Sequence, residues 1–288
     1  VFEYIQHASD YGIEVKEASH DFSKIVKRSR DVAGGMSKGV QFLMKKNKID
    51  VINGYGKLLP GKKVEVTAAD GKSQIVKASH VMVATGGRSR QLPSLPQDGK
   101  KIIGYREAMT LSKQPDSIVI VGSGAIGVEF AYVYAALGTK VTVVEYLPRI
   151  VPNEDADVSK ELAKSLKKTG IDFMTSTEVT HVDTKGKGCI VHYKDAKGEH
   201  SMTSEMVLSA VGVTPNIENI GLEAVGIQTE RGHIVVDDMY RTTAPGYYAI
   251  GDVVPGQALA HVASAEGIIC VESIAGHNPQ AIDYNNIP

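Results

Sequence analysis

The stretch Ser117–Glu145, SIVIVGSGAIGVEFAYVYAALGTKVTVVE, admits few folds. Ile118–Val121 is β-branched and apolar, the pattern of a strand buried on both faces. Gly122, Gly124 and Gly127 follow as G-x-G-x-x-G, then a helical run, then a second apolar strand, Val141–Val144, closed by Glu145. Strand, glycine turn, helix and acid-terminated strand together make a dinucleotide-binding unit. The three glycines do different things. Gly122 permits the sharp turn, Gly124 lets a pyrophosphate approach the backbone, and Gly127 lets the helix sit against the strand. The helix start offers free N–H groups and the positive end of a dipole to phosphate oxygens. A carboxylate at Glu145 accepts hydrogen bonds from a ribose and repels a 2′-phosphate, so NAD is expected over NADP.

With 288 residues the chain has room for two ordinary domains, and 42% hydrophobic with 23% charged residues is a globular composition. A net charge of −1 with no long charge run gives no electrostatic case for nucleic acid or an anionic membrane surface as a partner. No apolar run approaches the ~20 residues that span a bilayer. The two cysteines, Cys189 and Cys270, exclude a disulfide scaffold and suit a reducing compartment, most simply the cytoplasm. Each reads as a small buried hydrophobe.

Along the chain, Val1–His20 opens in what reads as the end of a helix and turns at Gly12. From Asp21 a long amphipathic helix is expected, with Phe22, Ile25, Val26, Val32, Met36, Val40, Leu43 and Met44 on one side. Asp50–Lys77 reads as short strands turning at Pro60-Gly61 and Asp70-Gly71, and Ala78–Gly87 as a strand ending in ATGG. Ser89–Pro115 is a proline-bearing connection between domains. After the glycine unit come a helix at Asp157–Thr169, with Val158, Leu162 and Leu166 on one face, a strand at Ile171–Phe173 and a β-meander over Thr180–Thr203. Strands at Met206–Gly212, Ile234–Asp237 and Tyr247–Ile250 follow, then a helix at Ala258–Ala275. The class is α/β, and the recurrence of a meander followed by a glycine-ended strand (Ala84–Gly87, Ala210–Gly212) is what two related nucleotide-binding domains give.

Six motifs in one order carry a specific resemblance: ATGG at Ala84–Gly87, GSGAIGVE at Gly122–Glu129, VTVVE at Val141–Glu145, AVGVTPN at Ala210–Asn216, YAIGD at Tyr248–Asp252 and LAH at Leu259–His261. VINGYG at Val51–Gly56 adds to them. The chain resembles the pyridine nucleotide–disulfide oxidoreductases over essentially its whole length. Within them it is most similar to the dihydrolipoyl-oxidising branch, the E3 component of 2-oxoacid dehydrogenase complexes. The resemblance implies two Rossmann-like domains with parallel sheets and β-meanders, the NAD domain inserted into the FAD domain. It places an incomplete FAD-binding part at 1–114, the NAD domain at 115–240 and the return into the FAD or central domain at 241–288.

Roles follow by resemblance. Gly56 matches a glycine beside the FAD adenine, and Thr85, Gly86 and Gly87 a backbone turn near the flavin. Asp252 matches the carboxylate on the FAD ribityl chain, and Ala258, Leu259, Ala260 and His261 a helix start whose backbone approaches the flavin. On the NAD side, Gly122, Ser123, Gly124, Ala125, Ile126, Gly127 and Val128 match the pyrophosphate loop and its helix start, and Glu129 a glutamate near the nicotinamide. Glu145 matches the ribose contact, Val179 an adenine contact and Gly212 a backbone approach to NAD. The cofactors implied are FAD and NAD, and the substrate a dithiol, the lipoyl group of an E2 component.

The family's first G-x-G-x-x-G, its C-x4-C redox pair and its C-terminal interface domain with a His–Glu pair have no match in this sequence, so no catalytic residue is assigned to it, nor any metal ligand. Val213 stands where the family commonly has arginine. The expectation is therefore the middle of a longer enzyme, homodimeric through the interface domain and unable to turn over by itself; the alternatives are another NAD(P)H-dependent flavin disulfide reductase or transhydrogenase, and a non-catalytic nucleotide-binding fragment.

Overall fold

The computed structural model describes Val1–Ile287. Close contacts gather these residues into two units: Val1–Gln41 with Ser89–Gly212, and Phe42–Arg88 with Val213 onward. The first unit is built on a five-stranded parallel sheet in the order Ile102–Ile103, Met206–Ser209, Ser117–Val121, Lys140–Val144, Asp172–Met174. Strand alternation divides its side chains between two cores. Ile118 and Ile120 pack with Val141, Val143, Ala131, Tyr134 and Leu166 beneath the helices Ala125–Ala136 and Ala156–Lys168. Val119 and Val121 pack with Val207, Cys189 and Val191 beneath an antiparallel meander, Glu178–Asp183, Cys189–Asp195 and Gly198–Ser204. Coverage on both faces is why the sheet's strands are apolar without a polar alternation.

Several expected elements shift. The helix expected from Asp157 runs Ala156–Lys168, capped by Asp155, whose carboxylate accepts the Asp157 N–H. Val158 is exposed, not on the core face with Leu162 and Leu166. Each four-residue step overshoots a helical turn by about 40°, so two steps carry Val158 off the buried stripe and Ser159 onto it. The long helix spans Phe22–Lys46, and Phe22 stacks on Tyr134, with ring centroids 6.3 Å apart. Val26 and Met44 are half-buried, and the rest of its apolar side is open; Met36 is 71% exposed.

In the second unit a meander, Tyr55–Leu59, Lys63–Thr67 and Ser73–Lys77, turns at Gly61 and Gly71, both at φ 82°. Val81–Val83 and Tyr247–Ala249 form a parallel pair whose core includes Leu222, Ile234 and Val253. The helix Ala260–Ile274 buries Val262, Glu266 and Cys270 at four-residue steps. The strand expected over Ala78–Gly87 is broken into Val81–Val83 and a second short strand, Gly87–Ser89, because the backbone of Thr85 and Gly86 between them is bonded elsewhere.

The chain passes between the two units at 41/42, 88/89 and 212/213. Ile102–Ile103 forms the edge strand of the five-stranded sheet, and Arg90 N–H donates to the Gly212 carbonyl, so 89–114 packs with the first unit. Ile220, Leu222, Ile227 and Ile234 lie in the second unit's core, which takes 213–240 with it. No helix among the described residues is long and apolar enough to cross a membrane.

Candidate dinucleotide-binding site

The strand Ser117–Val121 delivers the chain to Gly122 at φ 100°, a left-handed conformation that side chains disfavour. A Cβ there would also run into the Ala210 carbonyl oxygen. At Gly127 a Cβ would overlap the Gly122 carbonyl oxygen, so helix and turn are locked at closest approach. Gly124 differs from both. Its φ is −66° and nothing lies within 4 Å of where a Cβ would stand. The fold itself does not require glycine at 124; a ligand lying over the turn would. Gly124 is also the N-cap of Ala125–Ala136, and no side chain caps that helix, so its first N–H groups have no side-chain partner at the cap.

Glu145 follows the next strand and is almost fully buried. Its Oε2 accepts the N–H of the buried Ser123 at 2.8 Å and the Ser123 hydroxyl at 2.7 Å, and its Oε1 accepts the Leu147 N–H at 2.8 Å. A carboxylate has about four acceptor positions, so roughly one remains. Glu145 thus clamps the glycine turn and still presents an acceptor edge to a cleft of about 570 Å³. Of the residues expected on the NAD side, Gly122, Ser123, Gly124, Glu145, Val179 and Gly212 line that cleft. The others stand behind or beside it: Ile126 and Val128 pack in the core under the helix, Gly127 is buried, and Ala125 and Glu129 are exposed. The cleft also includes Arg90, Tyr146, Asn153 and Glu178, which the motifs did not single out. Tyr146 directly follows Glu145 and was within reach of the motif; Arg90 arrives through its backbone bond to Gly212 and leaves no local signal.

In the second unit the ATGG turn is clipped to the segment after Gly212. Thr85 Oγ1 donates to the Asn216 carbonyl at 2.6 Å, Asn216 Nδ2 to the Thr85 carbonyl at 3.0 Å, and Asn216 N–H to the Gly86 carbonyl at 2.8 Å. Arg88 closes the clip: its Nη1 donates to the Pro215 carbonyl and Asn216 Oδ1, and the guanidinium grips both Glu218 oxygens. The Arg88 guanidinium holds the Glu218 carboxyl down at about 2, from an ordinary 4.5. A depressed carboxylate stabilises fully above its ordinary value and stops doing so as pH falls through about 2. The side chains are 44% and 53% exposed, so the ion pair contributes no more than about 1 kcal/mol at neutral pH. Glu218→Gln should therefore melt a few degrees lower than the parent at neutral pH, and thermal melts should show the gap closing between pH 4.5 and 2.

Gly87 lies against Asp252: a Cβ on Gly87 would stand 3.0 Å from Asp252 Oδ2. Asp252 and Ala258 share a small cavity of about 110 Å³, while Leu259, Ala260 and His261 are exposed where the helix begins. Gly56 is exposed on the first strand of the second unit's meander.

A family model described as pyridine nucleotide-disulphide oxidoreductase matches residues 7–267. The chain belongs to that family. It is 44% identical to a dihydrolipoyl dehydrogenase of Chlorobaculum parvum over 100% of its own length and 62% of the relative's. It is 39% identical to one of Zymomonas mobilis, again over 100% of the chain and 62% of the relative. Among solved structures, LpdA of Mycobacterium tuberculosis superposes with a TM-score of 0.90 at 32% identity, covering 98% of this chain and 61% of that one. The chain thus spans somewhat under two thirds of the relatives it matches.

Pyridine nucleotide-disulphide oxidoreductases bind FAD and NAD(P). The residues present fit part of a flavin nucleotide: Gly87 makes room for the Asp252 carboxylate, and the cavity beside them is far smaller than the ~300–1,000 Å³ of a whole ligand site. Neither cysteine is built as the family's reactive thiol. Both are buried and unpaired, and burial pushes the Cys189 thiol up and that of Cys270 up to about 11.

One further residue shapes this region. Glu266, fully buried on the helix Ala260–Ile274, accepts the Gly251 N–H at 2.6 Å and the Tyr284 hydroxyl at 2.7 Å; Tyr284 in turn meets Tyr240 at 3.0 Å. Glu266 fixes the turn that precedes Asp252. The mutation Glu266→Leu leaves both donors unpaired and should cost about 3 kcal/mol in urea unfolding, with Glu266→Gln costing less.

Proposed function

We propose that the whole protein is a dihydrolipoyl dehydrogenase, oxidising the dithiol of a lipoyl group carried on an E2 component and passing a hydride to NAD⁺. The observation that carries the NAD part is Glu145, a buried carboxylate with an acceptor edge toward the cleft beside a turn whose Gly124 the fold does not itself require. The substrate rests on the relatives, dihydrolipoyl dehydrogenases at 39–44% identity along all of this chain. When bound, FAD would supply the electron relay between dithiol and NAD⁺.

Within this reading, the free N–H groups at the start of Ala125–Ala136 hold the pyrophosphate. Glu145 accepts from the adenosine ribose and repels a 2′-phosphate, and Val179 offers an apolar surface to the adenine. Asp252 accepts from the ribityl chain, and the starts of the Gly87 strand and the Ala260 helix approach the flavin. The five-stranded unit is then the NAD domain, inserted into a flavin domain represented here by the second unit. The enzyme would work as a homodimer in the cytoplasm within a 2-oxoacid dehydrogenase complex. Incubating the whole protein with dihydrolipoamide and NAD⁺ should yield NADH; no NADH, or equal rates with NADP⁺, overturns the reading.

A further inference from the structure

The outer face of the first unit's meander holds side chains that neither the cleft nor the core uses. Glu178–Asp183 and Cys189–Asp195 run antiparallel, with His181 directly opposite His192 and Val182 opposite Val191. Alternation sends Val182, Cys189 and Val191 into the core and places His181, Asp183 and His192 together on the outside. A bulge between Val179 and His181 makes this possible: without the extra residue, His181 would share the inward face with Val179.

The two imidazoles stack with centroids 4.0 Å apart and planes 7° from parallel. His192 Nε2 stands 3.9 Å from Asp183 Oδ2, and one nitrogen or oxygen of each of the three residues lies within 4.8 Å of the other two. His192 Nε2 is itself shielded from solvent and has no hydrogen-bond partner. A shielded imidazole nitrogen without a hydrogen-bond partner, beside a second imidazole and a carboxylate, is the donor set of a transition-metal site. We propose that this face binds one divalent transition cation of the Zn²⁺ class, through His181, Asp183 and His192, with water completing a tetrahedral shell.

Zinc bonds to imidazole nitrogen and carboxylate oxygen run about 2.0–2.2 Å, which sets neighbouring ligand atoms roughly 3.3 Å apart. The Asp183–His192 pair needs only a small closure from 3.9 Å, and His181, being exposed, is free to turn out of the stack and aim its nitrogen at the ion. Imidazole with carboxylate suits Zn²⁺, and Cu²⁺ should bind the same set more tightly. The cation would staple the first two strands of the meander immediately beside the bulge that follows Val179 in the cleft wall.

The test compares the whole protein with its His181→Ala and Asp183→Asn variants, both changed at outward positions. Equilibrium dialysis against ZnCl₂ should show one fewer equivalent bound by His181→Ala than by the parent, and affinity at least about tenfold weaker in Asp183→Asn. Taking the difference removes zinc held anywhere else in the protein. Co²⁺ should give the visible absorption of a tetrahedral site in the parent and not in His181→Ala. Equal zinc stoichiometry and equal Co²⁺ spectra in parent and variants overturn the proposal; if His181→Ala does not fold, Asp183→Asn decides by the same comparison.

Discussion

Gly124→Ser should leave the thermal stability of the protein within a degree or two of the parent and weaken NAD⁺ binding at least about tenfold, a loss of about 1.4 kcal/mol. Gly127→Ala, three residues on, should do the reverse first, lowering the melting temperature by several degrees before binding is considered. The two glycines belong to one motif but answer to different neighbours. A Cβ at 127 overlaps the Gly122 carbonyl oxygen, which is backbone, so strand and helix must part, at a cost of about 1–3 kcal/mol for this kind of overpacking. A Cβ at 124 meets no protein atom within 4 Å, and φ −66° suits any residue. Serine is moreover a good N-cap. Its hydroxyl would bond the very N–H groups that a pyrophosphate needs and stand where the phosphates must pass. Melting curves beside calorimetric titration with NAD⁺ separate the cases. If Gly124→Ser binds NAD⁺ as the parent does, the phosphates do not lie over this turn.

What the residues disclosed in advance was whatever depends on near neighbours in the chain. Ile118–Val121 and Val141–Val144 read as buried strands, and the turn glycines Gly61, Gly71, Gly186 and Gly198 all have positive φ. The cleft-lining role of Gly122, Ser123, Gly124, Glu145, Val179 and Gly212 followed from motif order, since a strand–turn–helix–strand unit converges on its own glycine turn. The clip of Thr85 and Arg88 to Asn216 and Glu218 was invisible because its halves are far apart in sequence, though Thr85 and Asn216 both lie inside matched motifs. Much of the sequence signal in ATGG and VTPN is thus the fit of one to the other. His181 and His192 needed the register and the bulge: counting by twos from Val179 puts His181 in the core. The open side of Phe22–Lys46 shows the opposite limit, since an apolar stripe announces a helix without saying what covers it.

Glu145→Ser should shift the preference between NAD⁺ and NADP⁺ by at least about tenfold toward NADP⁺, and also lower stability by about 2–3 kcal/mol. The second effect accompanies the first because the carboxylate acts in two directions. Toward the protein it accepts from the Ser123 N–H, the Ser123 hydroxyl and the Leu147 N–H, and a serine at 145 is too short to reach all three. Buried donors left unpaired account for the loss in stability. Toward the cleft it offers its remaining acceptor position and its charge, which favour a ribose diol and oppose a 2′-phosphate. Affinity for both nucleotides should fall as the turn loosens, so the ratio of the two dissociation constants is the informative quantity. A loosened turn weakens NAD⁺ and NADP⁺ alike and leaves the ratio unchanged; removal of a ribose acceptor and a like charge changes it. A variant that loses stability while holding the parent's ratio would make Glu145 a clamp on the glycine turn and nothing more, and the reading of its free edge as the ribose contact would fall.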